Sequence, residues 1–222
     1  MTTTAAPVDA FAAMRQSMVA SQLRTTAVTD ARVVAAMAEV SRERFVPDAV
    51  ADLAYCDTVV ELGQGRGLNP PLATARLLVA AGLRAGDRVL LIGAATGYTA
   101  AVLAQIVADV VAVESTPALA EAARANLADI ATVTVIEGAL ETGHPEGAPY
   151  DVLVVDGAIE QLPETLLTQV AEGGRVVTGL VDRGVSRLAS CMRTGTAFAL
   201  LPFADIDSVR LPGFAKPRKF AF

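Results

Sequence analysis

The chain alternates between short runs of apolar, β-branched residues and longer segments whose apolar positions recur every three to four residues. The central example is RVLLIGAATGYTAAVLAQIVADVVAVE, Arg88 to Glu114. Val89 to Ile92 reads as a strand, Gly93 to Gly97 as a turn, Tyr98 to Val107 as a helix and Val110 to Val113 as a second strand closed by Glu114: one β-α-β unit. Upstream, Phe11, Met14, Met18, Val19 and Leu23 recur at helical spacing and predict a helix from Val8 to Arg24, with Asp9 as a candidate N-cap. A second helix is predicted from Asp30, carrying Val33, Val34 and Met37. Ser41 to Pro47 breaks it, and Ala54 to Leu62 reads as a β-branched run that ends in the loop Gly63-Gln64-Gly65-Arg66-Gly67. Asn69-Pro70-Pro71 offers an N-cap and a helix-starting proline for a helix through Ala80.

Downstream, Ser115-Thr116-Pro117 begins a helix through Leu127, and Val133 to Ile136 is a strand. A polar loop spans Glu137 to Pro149. Asp151 to Val155 is continuously apolar after its first residue, as expected of a strand covered on both faces, and runs on into Asp156-Gly157-Ala158. Leu162 to Val170 predicts a helix, Gly173-Gly174 a turn and Arg175 to Val181 a strand; Val185 to Met192 and Ala197 to Phe203 predict a closing antiparallel pair. Strands alternating with helices predict a mostly parallel, doubly wound α/β sheet with a reversed strand at one edge. Ligands of such sheets lie at the carboxyl ends of the strands, where Gly93, Glu114, Ala139 and Asp156 all fall.

The 222 residues suffice for one sizeable core, here an N-terminal helical and loop region over 1–83 packed on a core over 84–222. An apolar fraction of 53% with 19% charged residues argues against long disorder. A net charge of -6 leaves no evident basic face for phosphates, so nucleic acid is not the expected partner. The N-terminus lacks the basic start and apolar stretch of a secretory leader, no run approaches membrane-spanning length, and a cytoplasmic protein is expected. Cys56 and Cys191 form no disulfide framework or zinc pattern, and the single histidine, His144, lies in a Gly/Pro-rich loop, so no metal site is expected. The closing FAKPRKFAF reads as a solvated or edge-packing tail.

Glycines at a strand-to-helix turn, followed about twenty residues on by an acid ending the next strand, suit an adenosine-type cofactor whose ribose hydroxyls the acid accepts. The dinucleotide pattern G-x-G-x-x-G fits poorly, since Ala95 and Tyr98 stand at its second and third glycines. The Gly93 and Gly97 spacing resembles the glycine loop of S-adenosylmethionine-dependent methyltransferases. Asn69-Pro70-Pro71-Leu72 is superficially similar to the Asn/Asp-Pro-Pro-aromatic motif of base amino-methyltransferases, but Leu72 replaces the stacking aromatic.

From about Gln22 to Leu211 the chain resembles the protein-L-isoaspartate O-methyltransferases, through QLRTTAVTDARVVAAMAEVSRERFVP, AYCDTVVELGQG, VLLIGAATGYTAAVLA, VVAVE, YDVLVVDGA and LPETLLTQVAEGGRVV in order. The resemblance implies a Rossmann-like class I methyltransferase fold, S-adenosyl-L-methionine as cofactor with S-adenosyl-L-homocysteine as product, and isoaspartyl residues of damaged proteins as substrate. It assigns Gly93, Ala94, Ala95, Gly97, Tyr98, Glu114, Ser115, Ala139, Leu140 and Asp156 to the cofactor. Gln64, Gly65, Arg66 and Gly67 fall to the substrate loop and Asn69 to catalysis. Leu91, Ala95 and Ala139 stand where the family usually has an acid, a glycine and an aspartate; Gly67 and Asn69 replace hydroxyl residues. These departures leave two alternatives beside isoaspartyl methylation: a methyltransferase with another acceptor, and a binding module that keeps the fold. An aspartyl-type carboxylate is ionised near neutral pH, so its methylation requires no general base.

Overall fold

The computed structural model describes residues 7–195 and 198–216. The end of the basic, phenylalanine-rich tail lies outside them. Helix α1 (Pro7–Met18) continues through a wider turn at Val19–Leu23, so one helical segment covers the predicted span. It begins two residues before Asp9, which therefore does not cap it; the side chains of residues 7–9 are outside the described part. Helix α2 (Ala31–Glu39) is capped as expected, with the Asp30 carboxylate accepting from the Arg32 amide at 2.9 Å. Asp30→Ala is expected to lower the unfolding free energy by about 1 kcal/mol. Urea denaturation checks this, and an unchanged midpoint would show the cap to be idle.

Strands β1 (Val60–Gly63) and β2 (Arg66–Leu68) form a small separate hairpin, followed by α3 (Pro71–Ala80). The predicted strand from Ala54 is shorter than its β-branched pattern. Residues 54–58 turn instead, because Tyr55 is drawn inward: its hydroxyl accepts from the Arg42 amide at 3.1 Å and donates to Glu43, and its carbonyl accepts from Gln22 at 2.9 Å. Asn69 does not cap α3. Pro70 takes the cap position without a side-chain bond, and the Asn69 amide points into the protein.

The main sheet has seven strands in the order β5 (Val133–Glu137), β4 (Asp109–Glu114), β3 (Arg88–Ile92), β6 (Tyr150–Ile159), β7 (Val170–Asp182), β8 (Val185–Met192) and β9 (Leu201–Ala204). The first five run parallel; β8 pairs antiparallel with β7, and β9 antiparallel with β8. The helices between parallel strands are α4 (Tyr98–Ala104), α5 (Pro117–Asn126) and the single turn α6 (Glu164–Leu167). The reversed strand thus lies one place inside the edge.

Period-two alternation on β3 divides the core. Val89 and Leu91 pack with Met18, Leu23, Met37, Leu77 and Leu103 on one face, while Leu90 and Ile92 pack with Val113, Val155, Leu166 and Phe214 on the other. Both sides of the strand are apolar because both are covered. Leu91 is fully buried in this arrangement, so it contributes packing where an acid would have sat.

The predicted helix over Leu162 to Val170 contracts to α6 because Val170 already pairs with Tyr150. Gln169 replaces the missing helical bonds, accepting from the His144 amide and donating to the Thr142 and Thr165 carbonyls. Gly173-Gly174 is accordingly a bulge within β7: pairing passes from Tyr150–Val170 to Val152–Arg175, and Gly173 and Gly174 exchange bonds with Arg193. Among the described residues no helix is long and apolar enough to cross a membrane, and no group of three His, Cys, Asp or Glu residues could hold a metal ion.

Candidate active site

The turn after β3 carries the backbone that the sequence singled out. Gly93 and Gly97 have φ of 84° and 102°, a region open to glycine at little cost. A methyl group on Gly97 would stand 2.8 Å from the Leu127 side chain, which caps α5, so a larger residue there would crowd the end of that helix as well. The Gly93 and Ala94 amides both donate to the Val113 carbonyl, at 2.9 and 3.0 Å, and tie the turn to the end of β4. Ala95 adopts φ 50°, the left-handed conformation for which glycine is ordinarily used. Thr96 and Asn126 fix the far side of the turn through bonds to Phe45 and from Asn126 to Thr96.

Glu114 ends β4 beside this turn and is completely buried. Its Oε2 accepts from the Ala95 amide at 2.7 Å and its Oε1 from the Ser115 and Thr116 amides at 2.9 and 3.0 Å. Arg66, reaching across from the hairpin, donates Nη2 to Oε2 at 2.5 Å and Nε to Oε1 at 3.3 Å. Burial alone would raise the Glu114 carboxyl; the Arg66 bond and charge, with the Thr116 and Ala95 amides, outweigh it and hold the group below its ordinary value. Arg66 is 2% exposed, and its Nη1 has no partner.

A second polar group is centred on Asp156, near the end of β6. Its two oxygens accept from Asn69 Nδ2 at 2.7 Å and from the Thr99 hydroxyl at 2.5 Å. Burial pushes this carboxyl upward despite those donors and the nearby Arg42 and Arg66. Asn69 is held at its other end, where Oδ1 accepts from the Val209 amide at 2.7 Å. Beneath lies Arg42, fully buried, donating Nε to the Ala54 carbonyl at 2.6 Å and Nη2 to the Asn69 carbonyl at 2.5 Å, with its guanidinium 4.5 Å from the Tyr98 ring centroid. Tyr98 also meets Phe45 edge-on at 5.7 Å.

The segment after β9 straps the site. Ala158 and Val209 bond at 2.7 Å, Leu211 and Ala158 at 3.0 Å, and a methyl group on Gly93 would stand 3.1 Å from the Leu211 side chain. The fold thus assembles Gly93, Ala94, Ala95, Glu114 and Ser115 around Arg66, with Asn69 and Asp156 alongside. Gln64 and Gly65 are exposed at the hairpin tip, and Gly67 is buried against Val59 and Val209. Leu140 packs in the second core face; Ala139 is exposed and brings no polar side chain. His144 pairs instead with Glu146 at 3.1 Å. Nothing in the sequence pattern singles out Arg42, Thr99 or Val209 to Leu211. The first stands between Ser41 and Glu43 in the polar stretch SRERF, and no periodicity marks it as buried.

A family model described as protein-L-isoaspartate(D-aspartate) O-methyltransferase matches residues 14–198. Protein-L-isoaspartate O-methyltransferase 1 of Rhodopseudomonas palustris strain HaA2 is 44% identical over 211 residues, spanning 94% of this chain and 82% of the relative. A solved protein-L-isoaspartate O-methyltransferase superimposes with a TM-score of 0.79 at 27% identity, covering 90% of this chain and 66% of that one. A Plasmodium falciparum structure under the same family name, in complex with S-adenosyl-L-homocysteine, has a TM-score of 0.72 at 18% identity, covering 88% and 98%, a likeness in fold.

Proposed function

Since the chain belongs to the protein-L-isoaspartate(D-aspartate) O-methyltransferase family, we propose that it methylates isoaspartyl carboxylates of damaged proteins with S-adenosyl-L-methionine. The observation that carries the reading is the placement of Glu114: a buried, ionised carboxylate at the end of β4, beside the Gly93 to Gly97 turn after β3. Glu114 accepts three bonds from backbone amides and two from Arg66, so the two positions that Arg66 fills open to the hydroxyls of a ribose once its donors withdraw. The donor set therefore fits the cofactor.

The bound cofactor supplies an electrophilic methyl group on a sulfonium. The residues of this chain bind, orient and exclude water. The Gly93 to Ala95 backbone lines the approach to the cofactor, and Glu114 accepts from the ribose. Asn69, fixed between Asp156 and the Val209 amide, stands at the substrate side with Gly65 to Gly67. No side chain has to take a proton, because the acceptor carboxylate is already ionised; alignment and desolvation account for the rate. This is compatible with His144 lying outside the site.

Transfer of labelled methyl from S-adenosyl-L-methionine to a peptide containing isoaspartate, and not to its aspartyl isomer, is the expected result. Folded protein that transfers none to the isoaspartyl peptide, under conditions where the Rhodopseudomonas palustris relative does, would rule the reading out.

A further inference from the structure

The acid that the cofactor reading requires is already occupied. With Arg66 in place, Glu114 accepts five hydrogen bonds, two from the guanidinium and three from backbone amides, and has no acceptor position left for a ribose hydroxyl. The Arg66 Nη2 would stand 3.5 Å from a methyl on Gly93, which puts the guanidinium against the glycine turn as well as the acid. Leu211 closes the same turn from the strap.

We infer that Arg66 is an internal plug of the cofactor site, which occupies the ribose position in the free protein and whose guanidinium must swing out before S-adenosyl-L-methionine can bind. This rests on the reading of Glu114 as the ribose carboxylate.

Three features of the hairpin suit it to this motion. Gly63, Gln64 and Gly65 are exposed with positive φ, at 85°, 54° and 71°, and a methyl group on either glycine would meet nothing within 4 Å, so no packing at the tip resists displacement. Pairing within the hairpin is irregular between Glu61 and Gly63, so the arm that carries Arg66 is joined by few ladder bonds. Beyond Arg66, Gly67 is buried against Val59, Val60 and Val209 and Leu68 is buried in the main core, which fixes the base while leaving the guanidinium as the moving part.

The closed state also has a built-in weakness. Arg66 leaves Nη1 unpartnered where no solvent reaches it, and a buried ion pair recovers little beyond its own desolvation. Swinging out rehydrates the guanidinium in full, and incoming hydroxyls take over the vacated positions on Glu114. The exchange trades one set of charge-assisted bonds for another, so it is reversible and sets the apparent affinity through the fraction of molecules that are open.

The test is calorimetric titration of wild type, Arg66→Ala and Arg66→Lys with S-adenosyl-L-homocysteine, each variant first shown to unfold cooperatively. Arg66→Ala is expected to bind on the order of tenfold more tightly than wild type, with Arg66→Lys between them because an ammonium cannot reproduce the two-point contact. A folded Arg66→Ala that binds no better than wild type overturns the plug while leaving the cofactor reading intact. Failure of wild type and both variants to bind at millimolar ligand overturns both.

Labelling of wild type with phenylglyoxal, mapped by mass spectrometry, requires no variant. Arg66 is expected to be protected in the free protein and to become reactive with S-adenosyl-L-homocysteine bound; protection that persists in the complex overturns the plug.

Discussion

Glu114→Ala is expected to lose about 3 kcal/mol of unfolding free energy and to weaken S-adenosyl-L-homocysteine binding by a factor on the order of 100 or more. Removing one partner of a buried ion pair ordinarily costs more, because the other charge stays behind. Here Arg66 sits on a hairpin and can escape to water, so the stability loss is set chiefly by the Ala95, Ser115 and Thr116 amides that lose their acceptor. The affinity loss comes from two charge-assisted bonds to the ribose, each worth about 1.5 to 3 kcal/mol. Urea unfolding and calorimetry measure the two effects separately; a folded variant with wild-type affinity would remove Glu114 from the cofactor site.

The pH dependence follows from the same residue. Glu114 has its folded-state carboxyl held down by Arg66 and the amides against its burial, so its stabilisation is complete above the ordinary value of 4.5 and is lost as pH falls through the depressed one. Asp156 works the other way. Burial raises its carboxyl from the ordinary 3.8, so the stability linked to its protonated form is present below that value and is lost as pH rises through the raised one. In Glu114→Ala the loss contributed by Glu114 at the acid end should disappear, while the Asp156 dependence persists. Chemical denaturation between pH 3 and 7 would reveal it, and an unchanged profile would contradict the assignment.

Arg42→Ala is expected to cost about 3 to 5 kcal/mol, or roughly 10 °C in Tm for a chain of this size. The guanidinium is fully buried, and its truncation would strand the Ala54 and Asn69 carbonyls, empty the space against Tyr98 and withdraw a cation from Asp156. Arg42→Met restores much of the volume and none of the bonds, so it should recover only part of the loss; Arg42→Lys cannot reach both carbonyls with one ammonium. Thermal unfolding of the three variants decides the matter. A loss below about 1 kcal/mol in Arg42→Ala would mean that water replaces the guanidinium.

What could be read from the chain divides along a physical line. β3, β4 and β6 are legible because both faces of a central parallel strand are covered, which forces an uninterrupted apolar run, and Gly93 and Gly97 are legible because the turn demands their dihedrals. Glu114 could be placed at a strand end by counting. Its partner could not, since Arg66 lies 48 residues earlier in a loop rich in glycine, and side-chain pairing at that separation leaves no periodic mark. Asn69 shows how a local rule is overridden: Asn before proline is a good helix cap, but Asp156 and the Val209 amide compete for the same amide group and win. The helix expected over Leu162 to Val170 is shorter for a related reason, Val170 being claimed by pairing with Tyr150.

The outermost strand carries a consequence for how the molecule meets its neighbours in concentrated solution. β9 is only four residues long, and Pro202, which lies opposite Ala189, has no N–H to offer. A strand arriving at this margin would find a broken row of donors, and Arg187 and Asp205, paired at 2.8 Å beside it, place charge along the same border. The sheet is thus blunted where seven strands would otherwise invite an eighth, which protects a chain so rich in valine and leucine from edge-to-edge aggregation.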